Sequence, residues 1–428
     1  MLSGDNSIFS RAGEARDITG EKETAEKVQL AYLAALANGQ GEVTERLLKD
    51  ELDKAFGENG YELSEDLTKV TIDEKEYDVG GTVVAGPKEK ITKDKNGTTI
   101  AKTEGVTEPW LPTSTSEITN NDLSTGLTIK DSSQNEWVWI EVPMSVTSGK
   151  ESDTDIETAL RAYADTVVTR PSGWSDTYVA GKGLSDQEFS DKKSAMLQSI
   201  KANGGFYIGK YETGNEGGTL NKTYYDGDDN VVANPESGYD YYVGTWNGGT
   251  AVIKQNAFPY NWVTNEQAEN LAEGFTTGDE NATLMFGIQW DLTLKYLKEK
   301  GGLSVEDLTS NSTEWGNYYN TTYNITNANA WYSTDYGANW TKGAYNKNTE
   351  GEILLTTGAH SSFSKQKIYD LAGNVYEWTL EKTSSSDYPC AFRGGIYDRS
   401  GDYGPASSRF SDCPTSSNSS VGFRVALY

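Results

Sequence analysis

A chain of 428 residues, 36% of them hydrophobic, has apolar material for two or three domains with real cores. Its 37 basic against 64 acidic side chains give a formal charge of −27, which repels phosphate backbones and anionic membranes and excludes nucleic acid as a partner class. With Cys390 and Cys413 the only cysteines and His360 the only histidine, a disulfide scaffold, a zinc module and a polyhistidine metal site are all excluded.

The 26 Tyr, 11 Trp and 44 Gly suit loop-heavy, β-rich surfaces that bind through aromatic rings. No apolar run is long enough to span a membrane, and no signal peptide is visible. A single Cys390–Cys413 bridge is left open by composition.

In chain order, Ala25, Val28, Ala31, Tyr32, Ala35 and Leu36 recur at helical steps, so a helix is predicted from Arg11 to about Ala37, with Asn38-Gly39 as its stop. A second helix follows Thr44, with Leu47, Leu48, Leu52 and Phe56 on one side and Gly57 ending it. Leu67, Val70, Ile72, Tyr77 and Val79 alternate around Asp73-Glu-Lys75 as a hairpin. Together these form an α+β unit. Leu2-Ser-Gly-Asp-Asn-Ser-Ile8, Arg11-Ala-Gly-Glu-Ala15 and Glu26-Lys-Val-Gln-Leu-Ala-Tyr-Leu-Ala-Ala35 resemble the soluble part of Gram-positive type IV pilins. That resemblance implies a missing N-terminal transmembrane helix, an added Met1, other pilin subunits as partners, and an extracellular or cell-surface location in a bacterium. The only implied membrane contact is through the missing helix.

The pilin-like module is assigned to residues 1–85 and a Gly-, Lys-, Thr- and Pro-rich linker to 86–124. The remainder, 125–428, is read as one loop-rich domain. Leu127-Thr-Ile129 and Glu136-Trp-Val-Trp-Ile-Glu-Val142 alternate as strands, the second ended by Pro143. Ser185-Asp-Gln-Glu188 and Thr264-Asn-Glu-Gln267 are capping boxes that open helices, Gly205–Glu212 is a strand, and Leu284–Leu297 is a helix. Long Gly-, Asn- and Tyr-rich loops are expected at 215–249 and 309–351; loops of that length are functional or cover edges.

The last sixty residues are the most distinctive. Phe206-Tyr-Ile-Gly-Lys-Tyr-Glu212, the Trp290 helix, Asp370-Leu-Ala-Gly-Asn-Val-Tyr-Glu-Trp378, Arg393-Gly-Gly395 and Gly422-Phe-Arg424 occur in an order that resembles the formylglycine-generating-enzyme subclass of the C-type lectin fold. As framework, the glycines allow tight turns, Trp378 and Phe423 fill a core, and Arg393 or Arg424 pins loops by charge-assisted bonds. The enzymes of that family carry copper-binding cysteines shortly after the Gly-Gly turn. The matching stretch Ile396-Tyr-Asp-Arg-Ser-Gly-Asp-Tyr-Gly404 holds none, and His360 alone cannot build the iron site of the related sulfoxide synthases. The chain is therefore read as a binding protein and not an enzyme.

From Ile396 to Val421 there is no Lys, Glu, Gln, Met or Trp. Those are the residue types unreachable when both adenines of an AAC codon are replaced at random. The segment thus resembles the variable region, 393–428, of a diversity-generating-retroelement target protein. Tyr397, Pro405-Ala406, Arg409 and Pro414 look like scaffold, whereas Ile396, Asp398, Arg399, Ser400, Asp402, Tyr403, Phe410, Ser411, Asp412, Cys413, Ser417, Ser419, Ser420 and Val421 are the expected ligand-binding positions. Under this reading Cys413 is an accident of diversification. The resemblance implies an adhesin or receptor for a protein or glycan on another cell or a phage. A structural calcium ion is also implied by the formylglycine-generating enzymes, held by Asp370 and Glu377 carboxylates and the Gly373 and Val375 carbonyls, against a plain Glu377–arginine salt bridge. The alternatives are a copper or non-haem iron oxidase with relocated ligands, and a purely structural minor pilin.

Overall fold

The computed structural model describes residues 24–25, 27–36, 43–57, 60–64, 67–73, 75–79, 90–180, 183–233, 238, 240–278 and 280–428. The chain divides into two compact units, Met1–Lys90 and Ile91–Tyr428.

In the first unit, helix α1 (27–36) buries Val28, Ala31 and Ala35 at three- and four-residue steps. Helix α2 (Glu45–Phe56) starts where Thr44 accepts a hydrogen bond from Leu47 N, ends at Gly57, and buries Leu48 and Leu52. Strands β1 (Glu62–Leu63), β2 (Lys69–Ile72) and β3 (Lys75–Asp78) form an antiparallel sheet whose Val70 and Ile72 complete this core. The second helix and the hairpin stand where the sequence placed them. The Arg11 start, the Asn38-Gly39 stop and the Leu2–Ile8 and Arg11–Ala15 motifs lie outside the described residues.

Two sheets organise the second unit. The first uses β4 (Glu117–Asn120), β5 (Thr128–Lys130), β6 (Glu136–Glu141), β7 (Gly205–Gly209), β10 (Ala282–Leu284) and β15 (Val425–Leu427), in the antiparallel order β10-β15-β7-β6-β5-β4. Trp137, Val138, Trp139 and Ile140 of β6 are all buried, so both faces of this sheet are covered. Helices α4 (Asp186–Asn203), α5 (Asn265–Glu273) and α6 (Gly287–Lys300) pack on it, and α3 (Asp153–Ala164) packs on α4 and α6. Both predicted capping boxes are formed, at Ser185 and Thr264.

The second sheet runs β13-β12-β11-β14, from β11 (Tyr376–Thr383), β12 (Cys390–Arg393), β13 (Arg409–Asp412) and β14 (Val421–Phe423). Here β12 is antiparallel to both β11 and β13, while β14 runs parallel to β11 and sets Gly422 beside Glu377. The last two strands of the chain therefore belong to different sheets and tie them together.

Four expectations need correction. Residues 91–124 are not a linker: Ile100 and Leu111 join the main core, Trp110 packs edge-on against Tyr207 at 5.5 Å, and β4 lies in the first sheet. Scattered apolar residues among turn formers hid that packing. The segment 215–249 is not an open loop, because β8 (Thr219–Tyr225) and β9 (Tyr241–Asn247) pair along seven residues as a ribbon. Ala282–Leu284, read partly as helix, is strand β10; an apolar run of that length carries no period to decide between the two. Gly422 sits within β14 and makes no turn. Helix α3, which the motifs did not reveal, starts at a Ser152 cap and buries Ile156, Leu160 and Ala164.

Candidate ligand-binding surface

The β12–β13 pair carries the segment of interest, and its register decides what each side chain does. Phe392 lies opposite Phe410 and Arg393 opposite Arg409. Because successive side chains point to opposite faces, one face of the pair is aromatic and the other is charged.

On the charged face, Arg393 is wholly buried and stacks over Trp290 at 5.4 Å. Its Nη2 donates to Asp291 at 2.8 Å, its Nη1 to Glu381 at 3.1 Å, and its Nε to the Ser408 carbonyl at 3.0 Å. Arg409 adds a second fork, from Nε to Glu381 at 3.1 Å and from Nη2 to Asp291. Arg161 donates to Asp291 at 2.6 Å, and Arg170 pairs with Glu381 at 3.3 Å and with Asp176. Asp176 in turn accepts from Gly287 N at 2.6 Å and Ile288 N at 3.0 Å, so it also caps α6. Burial alone would push the Asp291 and Asp176 carboxyls up. The surrounding guanidiniums outweigh burial and hold both below the usual range. This network fixes the start of β13 and the Ser407–Ser408 backbone.

A second buried charge group lies at the other end of β11. Glu377 takes a forked arginine, with Arg424 Nη2 at 2.6 Å and Nε at 3.0 and 3.1 Å. The remaining Arg424 donors reach the Gly209 and Tyr369 carbonyls, both at 2.8 Å. Glu212 accepts from Asn374 Nδ2 at 2.7 Å and Val375 N at 3.2 Å, and Asp370 accepts from Gly358 N at 2.6 Å. Three acids here share one guanidinium. Burial and mutual repulsion push Glu212 well up, while burial, with Glu377 adding to it, lifts Asp370 to about 7.

This arrangement bears on the calcium expectation. Glu377 spends both oxygens on Arg424. Among the described residues no group of three or more His, Cys, Asp or Glu side chains is placed to hold a metal ion. The Glu377–arginine salt bridge is therefore formed, with Arg424.

On the aromatic face, a ladder of rings climbs from the core to solvent. Trp378 meets Phe392 edge-on at 5.3 Å, Phe392 stacks on Phe410 at 6.2 Å, and Phe410 stacks on Tyr403 at 5.9 Å. The Arg399 guanidinium lies 5.9 Å from the Tyr403 ring centre. Exposure rises along the ladder from 1% at Trp378 and 9% at Phe392 to 60% at Tyr403. Tyr376 supports it from the side, 5.2 Å from Phe410. The turn carrying Arg399 and Tyr403 folds back through Gly395 (φ +85°), where a Cβ would stand 2.1 Å from the Gly404 carbonyl oxygen.

Of the expected ligand-binding positions, Arg399, Asp402 and Tyr403 are exposed. Asp398, Ser400, Phe410, Ser411, Asp412, Cys413, Ser417, Ser419 and Ser420 are partly exposed. Ile396 and Val421 are buried in the main core, so they are framework and do not present a side chain to a ligand. The scaffold positions Tyr397 and Ala406 are buried, as read. Sequence reasoning missed Tyr336 and Glu352. Tyr336 is 45% exposed with its ring 6.3 Å from Tyr397; a hydrogen bond to Glu352 raises its pKa, and burial, with Glu352 adding to it, raises that of Asp398. Tyr336 lies in the Tyr-rich stretch 309–351 and Glu352 directly follows it; the length of that stretch was the available signal. Neither Cys390 nor Cys413 is bridged in a disulfide. His360 Nδ1 accepts from Ser362 N at 3.3 Å and its ring packs 5.1 Å from Phe363, so the imidazole braces a short turn.

Residues 187–428 match the model of the FGE-sulfatase family, the sulfatase-modifying factor enzyme 1-like domain. The chain belongs to that family. No curated protein matches it. Solved structures similar to this family member include PvdO from Pseudomonas aeruginosa, at 16% identity and TM-score 0.29 over 53% of this chain and 81% of that one. Treponema denticola variable protein 1 is similar at 15% identity and TM-score 0.21, over 72% and 90% of the two chains. CarF is similar at 16% identity and TM-score 0.20, over 68% and 85%.

Proposed function

We propose that this sulfatase-modifying factor enzyme 1-like protein is a non-catalytic binding protein, and that residues between Gly395 and Gly422 set what it binds. The observation that carries the reading is the pairing of a restricted residue alphabet with graded exposure. The segment from Ile396 to Val421 uses only residues that an AAC codon reaches by adenine replacement. Within it Tyr403 and Phe410 stack at the exposed end of the ring ladder and most other positions are at least partly exposed, while Arg393, Arg409 and Arg424 hold the frame. Rigid aromatic anchors among short Ser, Asp and Cys side chains are the composition of an adaptable recognition surface. The stretch after the Gly-Gly turn carries no cysteine, which weighs against the copper oxidase reading of the family.

The pilin-like motifs of the first unit support a cell-surface, pilus-associated adhesin or receptor that meets a protein or glycan on another cell or phage. The gene's neighbourhood tests diversification directly. The expected finding is a near-copy of the codons for the last residues, differing only at adenines, beside a reverse-transcriptase gene. A locus with neither would overturn that part of the proposal.

A further inference from the structure

A cleft of about 360 Å³ opens beside the charged face, between the segment after α3 and the start of β13. Its volume lies at the lower end of small-ligand pockets. Val168 and Pro171 supply apolar wall, Trp174 supplies a ring, and Ser407, Ser408 and Arg409 supply the polar side. None of its lining residues is acidic.

The unused hydrogen-bonding groups all have one character. Arg409 spends Nε on Glu381 and Nη2 on Asp291, and its Nη1 has no partner among the described residues. The Ser407 and Ser408 hydroxyls and the Trp174 indole N–H are likewise unpartnered, and none is sealed from solvent. The cleft's two threonine hydroxyls are already spent on the Asp165 and Val305 carbonyls. Free side-chain donors converge here, and no carboxylate or side-chain amide oxygen lines the cleft. Behind them four guanidiniums, of Arg161, Arg170, Arg393 and Arg409, face three buried carboxylates; the partly exposed Asp165 reaches Arg161 only at 3.6 Å.

We infer that this cleft binds a carboxylate carried on a ring, with Arg409 Nη1 and the Ser407 and Ser408 hydroxyls on the carboxylate and the ring against Trp174. A charge-assisted hydrogen bond from Nη1 would satisfy the guanidinium corner, and an apolar or sugar ring face would cover the indole. The site is separate from the outer aromatic face, because Arg409 and Phe410 point to opposite sides of β13.

The test uses the whole chain labelled with 5-fluorotryptophan, with the Trp174 resonance assigned by Trp174→Phe. Benzoate and its neutral isostere benzamide are titrated in parallel, and glucuronate separates an acidic sugar from an aromatic acid. Benzoate, glucuronate or both are expected to shift the Trp174 signal with a Kd of about 1–10 mM, without a matching response to benzamide. Ser408→Asp leaves every carboxylate and arginine of the buried network in place but sets a negative charge beside Arg409 Nη1, where it competes with the added carboxylate and should weaken that response at least about tenfold. Tyr403→Ala should leave it unchanged, which keeps the cleft distinct from the outer surface. Equal responses to benzoate and benzamide, no response to either carboxylate, or an undiminished response in Ser408→Asp would overturn the inference.

Discussion

Arg409 and Phe410 are adjacent in sequence, yet the strand pleat sends them to opposite faces of one sheet. Arg409 joins Arg393, Asp291 and Glu381 in a buried network that opens only at its own edge, while Phe410 is the partly exposed rung between Phe392 and Tyr403. The charged face spends nearly all its charged groups on the fold; the aromatic face leaves its outer ring unspent. Buried ion networks cost much desolvation, and breaking one member strands its partners. Substitution on that face is therefore punished, whereas the outer rungs tolerate it. A surface can vary only where its frame does not depend on it.

The largest effect should come from Asp291→Asn, which leaves Arg161, Arg393 and Arg409 without their shared acid. A loss of about 3–5 kcal/mol in denaturant unfolding is expected. Since Asp291 titrates below its unfolded value, its contribution is complete above about pH 4 and fades as the pH falls through its folded value. The variant should accordingly show a shallower acid limb.

The acid-rich group around Arg424 has the opposite sign. Asp370, lifted to about 7, stays protonated in the folded chain while the unfolded chain has already lost its proton, so stability falls as the pH rises from about 4 to about 7. Asp370→Asn keeps the left-handed backbone (φ +58°), which Asn tolerates. It should flatten that slope and be more stable than the parent at pH 8, on the order of 2 kcal/mol. A slope unchanged in the variant would assign the pH dependence to other groups.

Along the ladder, Phe410→Ala should cost about 1–2 kcal/mol through lost ring contacts. Tyr403→Ala, one rung further out, should stay within about 0.5 kcal/mol. Equal costs would mean that exposure does not grade the ladder. The smallest expected effect is calcium: with Glu377 held by Arg424, neither added calcium nor a chelator should move the melting temperature.

Much of the frame was legible because its signals are local. Capping boxes at Ser185 and Thr264, the alternating β6 and the Gly-Asn-Val-Tyr-Glu-Trp block announce their own structure. The charged network was legible only at Arg393 and Arg409. Its other members, Arg161, Arg170, Asp176, Asp291 and Glu381, come from separate elements, and only tertiary folding brings them together. A clue existed in Asp291, a charge in the middle of a helix that is buried nearly all round. The display positions were legible by residue type and not by depth: Ile396 and Val421 use the same alphabet as Tyr403 but face the core. An alphabet reports how a codon changes, and burial is set by the strand and turn that carry it.

The most direct test exchanges Arg399, Ser400, Asp402, Tyr403, Ser411, Cys413 and Ser417 together for other residues of the same alphabet, leaving the two buried charge groups intact. Melting temperature is then measured beside binding to an array of glycans and cell-surface proteins. The account predicts a melting temperature within about 2 °C of the parent and a changed set of bound targets. A chain that no longer folds, or one that binds the same targets as before, would contradict it.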